Sequence, residues 1–249
     1  MRRVTLITFA VVTLLLSGFP SRHVLFNAPL SASSSPKTYM SYEAVSTIRN
    51  SCIVSPPVSS PPSVAYVTNI SSLAHWQRKL TTQVNVTRLL GLLTSLSDFN
   101  SRHPFVSGSN ASINLLLDSL LNLGLAYDSD WFFIPKETWN GSEFIAYNYW
   151  TRNLYVAPWG INSSAPSLII TCHTDSARYT LLGLSVSDAP GANDNAAGVA
   201  VLMETLHILS SNHCSFKNWN ILFAFLGGEE GNGTLSLWGS QKLVSSGLG

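Results

Sequence analysis

Residues 166–173, PSLIITCH, and residues 219–230, WNILFAFLGGEE, are two short apolar runs on either side of a polar loop and the segment 189–209, APGANDNAAGVAVLMETLHIL. Neither run alternates apolar with polar. A strand wetted on one face alternates, whereas a strand covered on both faces reads as a continuous apolar run. Between them, from about Ala196 to Ser210, Val199, Leu202, Met203, Leu206 and Leu209 recur every three or four residues, the stripe of a helix packed on one side. Strand, helix and strand with both strands fully covered predict a parallel βαβ unit. The fold class that follows is α/β: a three-layer α/β/α domain around a mostly parallel or mixed sheet. In such sheets ligands collect beyond the carboxyl ends of the strands.

Polar clusters stand at those ends: HTDS (His173, Asp175), GANDNAAG (Asp194) and GGEEGNG (Glu229, Glu230). Two adjacent carboxylates at the tip of an apolar strand repel each other, and a divalent cation removes that penalty. An imidazole with several carboxylates suits zinc, and above all a pair of ions sharing one carboxylate. Asp175, two residues after His173, is placed to accept the other ring N–H and fix the tautomer. Asp194 precedes a helix and is read either as a plain N-cap or as the bridging carboxylate. Neighbouring side chains on extended backbone diverge, so Glu229 and Glu230 are expected to differ in role, one on the metal and one taking a proton from the attacking water. The plainer alternatives are a solvated loop for the glutamates and a core histidine for His173. His23, His75, His103, His207 and His213 are read as structural, and Cys172, on the opposite face of its strand, as core packing.

These residues resemble the three successive motifs of the co-catalytic zinc exopeptidases, the family of aminopeptidase Y, bacterial leucyl aminopeptidases and glutamate carboxypeptidase. The upstream LTSLSDFNSRH and NLYVAPWG are similar to that family's first helix and strands, so the resemblance spans about Ser71 to Gly249. It implies two zinc ions: His173 on one, Glu230 on the other, Asp194 bridging, Asp175 orienting His173, and Glu229 as general base. The implied reaction is hydrolysis of a terminal peptide bond in a peptide or protein substrate, most simply an N-terminal one. A glutaminyl-cyclase-like acyl transfer and a non-catalytic binding domain on the same scaffold are the alternatives. The family pattern also needs a later carboxylate and a later histidine. After Glu230 come 19 residues without Asp, Glu or His. The chain is therefore expected to stop inside the catalytic domain, with an unpaired sheet edge, weak metal binding and little activity of its own.

The remainder of the chain bears on organisation. Arg2 and Arg3 precede an uncharged apolar run, Val4 to Phe19, which reads as a signal sequence or N-terminal anchor over residues 1–30. Residues 31–66 are Ser/Pro-rich and read as a linker, with the partial peptidase domain at 67–249. This predicts an extracellular protein, or a membrane-anchored one facing outside. Six Asn-x-Ser/Thr sites, at Asn69, Asn85, Asn110, Asn140, Asn162 and Asn232, would then mark surface positions. Cys52, Cys172 and Cys214 allow one disulfide and one free thiol, with no pairing deducible. A net charge of +1 with 11% charged residues leaves no basic stripe for nucleic acid. Helices are expected in VTRLLGLLTSL and in SINLLLDSLLNLG, the second ending at Gly124, with SDFNSRHPFVSGSN as a loop between them. Strands are expected in WFFIP, FIAYNYW and NLYVAPW.

Overall fold

The computed structural model describes residues 4–8, 77–139, 144–180, 183–216, 218–230 and 237–246. In chain order the elements are β1 (Val4–Thr8), α1 (Val86–Ser97), α2 (Ser107–Asn122), β2 (Asp128–Trp139), β3 (Phe144–Val156), β4 (Ser167–His173), β5 (Arg178–Thr180) and β6 (Gly183–Ser185). A kinked turn (Ala192–Ala196), non-helical at Asp194 and Asn195, then leads into α3 (Ala197–Ser211), followed by the short α4 (His213–Phe216), β7 (Asn220–Leu226) and α5 (Trp238–Ser246).

The βαβ unit is present. β4 and β7 pair in parallel from Ser167↔Asn220 to His173↔Leu226. β3 runs antiparallel to β7 and antiparallel to β2, and β1 lies parallel to β4. The order β1-β4-β7-β3-β2 makes one mixed, open sheet with β4 and β7 each paired on both sides. β1 is the start of the apolar run read as a leader. The remainder of that run, the linker at 31–66 and the expected domain start near Val67 lie outside the described residues. None of the described helices is long and apolar enough to cross a membrane.

The layering explains the unbroken apolar runs. On one face Leu154, Val156, Phe223 and Phe225 join Leu96, Ile113, Leu116, Leu120, Val199, Leu202 and Leu206 from α1, α2 and α3. On the other, Ile169, Ala224 and Leu226 pack with Leu243 of α5. β7 thus has no wet face on which a polar residue could sit. Burying each such Leu or Phe is worth about 2 kcal/mol. Cys172 packs in the first core and is free, its thiol pushed up by burial; Cys214 is disulfide-bonded, and Cys52 lies outside the described residues.

Three local readings change. FIAYNYW and NLYVAPW form one strand, β3, because Thr151 and Asn153 are buried within it and Arg152 lies over the Trp131 ring at 4.6 Å. The last four residues of the expected loop, Ser107 to Asn110, are the first turn of α2. Small residues there carry a weak helix signal, yet they are needed: a Cβ on Gly108 would collide with the Ser101 carbonyl. The loop before Asp194 also contains a small hairpin, β5–β6. At the other end of α2, Gly124 takes φ +68° and stops the helix as expected.

Candidate metal centre

His173 is the last residue of β4, and the next two residues stay tied to β7. Thr174 N–H donates to Leu226 O at 2.8 Å. Asp175, 2% exposed, accepts from the backbone N–H groups of Glu229 at 3.1 Å and Glu230 at 2.9 Å. Its Oδ1 also faces His173 Nδ1 at 3.5 Å. Burial opposes ionisation of Asp175, but His173 and those two N–H groups outweigh it and hold the carboxyl below its ordinary range. Asp175 therefore straps the two strand ends together as well as facing the imidazole.

Asp194 arrives by a tight turn. Gly191 has φ +56°, and a Cβ there would lie 2.5 Å from the Ser176 Cβ. The Asp194 side chain is mostly exposed, with Oδ1 3.0 Å from His173 Nε2. It does not cap α3. Asn195 does so, accepting the Gly198 N–H at 3.1 Å through Oδ1 while its Nδ2 reaches His173 O at 3.4 Å. The capping use weighed for Asp194 thus falls to its neighbour, and its carboxylate is turned toward the imidazole.

Beyond β7, Gly227 N–H donates to Asn153 Oδ1 at 3.0 Å, and Gly228 takes φ +69°. The two glutamates follow this turn. Donor atoms of His173, Glu229 and Glu230 all lie within 4.8 Å of one another. The glutamates still differ in setting: Glu230 is buried, whereas the Glu229 side chain is 40% exposed with Oε2 4.0 Å from His173 Nδ1. Burial, then the charges of Asp175 and Asp194, push Glu230 up to about 7. The same causes raise Glu229, partly offset by His173. Burial disfavours the imidazolium, yet Asp175, Glu229 and Asp194 together lift His173 to about 9. All five residues read from the three motifs meet at this one sheet edge.

Residues 153–247 match peptidase family M28. That match spans β4, β7 and every residue of the cluster. A leucine aminopeptidase precursor from Bacteroides thetaiotaomicron is similar at 20% identity and TM-score 0.47, over 63% of this chain and 51% of that one. A glutaminyl cyclase from Macrostomum lignano is similar at 21% identity and TM-score 0.50, over 68% of this chain and 47% of that one. The LapA aminopeptidase of Legionella pneumophila is similar at 22% identity and TM-score 0.48, over 68% and 41%. The chain spans about half the length of these structures, and the cyclase likeness is one of fold.

The cluster also meets the chemistry of zinc. The Nδ1 of His173 is buried without a hydrogen bond of ordinary length, and three carboxylates crowd the ring. One imidazole nitrogen with carboxylate oxygens is a zinc donor set. His173 Nε2 and Asp194 Oδ1 stand 3.0 Å apart, near the separation of about 3.3 Å between two ligands of one tetrahedral zinc. Three supporting residues carried no sequence signal: Asn195, Asn153 and Arg102. Asn153 offered only a polar residue inside an apolar strand. Arg102 offered a charge two residues before Pro104 in a chain with few charges.

Proposed function

We propose that this chain forms part of a zinc-dependent exopeptidase, an aminopeptidase that removes residues from the N-terminus of peptides. The observation that carries the reading is the gathering of His173, Glu229 and Glu230 donor atoms at the carboxyl ends of β4 and β7, with Asp194 against the His173 ring. His173, Asp194 and Glu230 would hold the metal, Asp194 being the carboxylate able to serve two ions. Bound there, zinc would polarise the scissile carbonyl and make a coordinated water acidic. Glu229, half-exposed at the mouth of the cluster and with its proton affinity raised, is placed to take a proton and return it to the departing amine. Asp175 orients the imidazole and binds both glutamate N–H groups, so ligand and base share one anchor.

The basic-then-apolar N-terminus and the sequons support export, to the outside of the cell or to its outer membrane face. Of the six sequons, Asn85, Asn110 and Asn162 are described, and all three are exposed.

The test is hydrolysis of aminoacyl-p-nitroanilides by protein carrying this chain. Activity should vanish on chelation, return with zinc, and fall ~100-fold or more in Glu229→Gln. Undiminished activity in that variant would overturn the assigned base. Release of ammonia from an N-terminal Gln peptide without cleavage would instead establish the cyclase chemistry.

A further inference from the structure

Arg102 lies in the loop between α1 and α2 and is 1% exposed. Its guanidinium is engaged with main-chain carbonyls rather than carboxylates. Nε donates to Thr174 O at 3.0 Å, Nη1 to Leu96 O at 3.0 Å and to Pro190 O, and Nη2 to Gly191 O at 3.1 Å. The Arg102 backbone N–H donates to Ser176 Oγ at 3.0 Å, and that hydroxyl donates to Ala189 O at 2.6 Å. Three segments are thereby joined through one side chain: the end of α1, the loop leaving β4, and the turn into Asp194.

A buried cation is costly unless other charges answer it. Burial works against the charged form of Arg102, while Asp175, Asp194 and Glu230 work for it. The carboxylates gathered at the sheet edge thus stabilise the cation that organises their loops. The acceptors fit the planar, forked donor set of arginine. Lysine, a point charge on a flexible stem, cannot reach carbonyls on three segments at once. Gly191 has no room for a Cβ, whose nearest neighbours would include Arg102 Nη2 at 3.0 Å.

We propose that Arg102 is a positioning residue that sets the separation of His173 and Asp194, by pinning Thr174, next to His173, to Pro190 and Gly191, which carry the turn into Asp194. The role rests on reading His173 and Asp194 as metal ligands, as proposed above. Arg102 touches neither metal nor substrate in this account. Its contribution is the geometry of the two ligand loops before any ion arrives.

The experiment compares wild type, Arg102→Lys, Arg102→Met and Ser176→Ala as full chains, first metal-free, by amide hydrogen exchange. Both Arg102 variants should exchange about tenfold faster in segments 174–178 and 189–196, with β7 and the body of α3 as protected as in wild type. Zinc alone, in competition with a chromophoric chelator, should then bind about 10–100-fold more weakly, and lysine should not rescue it. Wild-type protection of both loops in the Arg102 variants would overturn the proposal, and so would faster exchange spread evenly over sheet and helices. Should the Arg102 variants fail to fold, Ser176→Ala decides. It keeps the guanidinium but cuts the link to Ala189 O, and should loosen segment 189–196 alone; no change there overturns the clamp. A wild type that binds no zinc would refute the metal centre, while loop exchange still decides the role of Arg102.

Discussion

On the proposed reading His173 is the residue on which the chemistry turns, because its two nitrogens face different partners. Nε2 meets Asp194 and Nδ1 faces Asp175. Without metal the ring holds a proton up to about pH 9, and Glu230 holds one up to about 7. A metal must displace those protons, so zinc affinity should rise with pH. Between about pH 7 and 9 one proton competes, which gives roughly tenfold per pH unit; below about 7 a second proton steepens the slope. Zinc titrations at a series of pH values check this, and a flat profile would deny that His173 is a ligand. Asp175→Asn should weaken zinc about 10–100-fold, since the amide can serve the imidazole or both glutamate N–H groups, not all three. Of these residues the sequence disclosed types and order. The division of labour between Asp194 and Asn195 was not legible, because an Asn–Asp–Asn run offers three caps and only the backbone turn selects one.

At the scale of elements, α3 follows directly on the turn that carries Asp194, and α1 holds α3 in place. Arg88 Nε and Nη2 bind Glu204 at 2.6 and 2.7 Å, and Glu204 also accepts the Asn85 N–H at 2.7 Å, just where Asn85 caps α1 through Arg88 N. Burial alone would raise Glu204, but Arg88 and the Asn85 N–H bring it below its ordinary value. A carboxyl with a depressed folded pKa stabilises fully above its unfolded pKa, near 4.5, and loses that contribution as pH falls through the lower folded value. Glu204→Gln should therefore cost about 2 kcal/mol at neutral pH and progressively less in acid, read from thermal unfolding of both proteins. Leu206→Ala, at a fully buried position of the same helix, should cost about 3 kcal/mol at either pH. The stripe of α3 was plain in the sequence, whereas the start of α2 was hidden. Ser107 to Asn110 are poor helix formers held by contact with the Ser101 segment, and that contact is long-range information.

For the whole molecule, the fold follows from one economy: β4 and β7 are packed into the sheet between helices, so their charged residues stand only at or beyond the ends, and the ends are where the candidate site forms. That is why continuous apolar runs stopped by His173 and by the Glu pair pointed to both the sheet and the edge where the candidate site lies. What the pattern could not reveal was the antiparallel side of the sheet. β3 carries polar residues into the core because Asn153 hydrogen-bonds Gly227 N–H and Gly239 O, a use visible only once α5 and the loop after β7 are in place. The central claim is that this edge assembles a zinc centre from His173, Asp194 and Glu230. The most direct measurement is zinc binding by the metal-free chain against a competing chelator, for wild type, His173→Ala and Asp194→Ala, each shown to be folded by circular dichroism. The account predicts saturable binding by wild type that both substitutions abolish; binding retained in both folded variants, or absent from wild type, would contradict it.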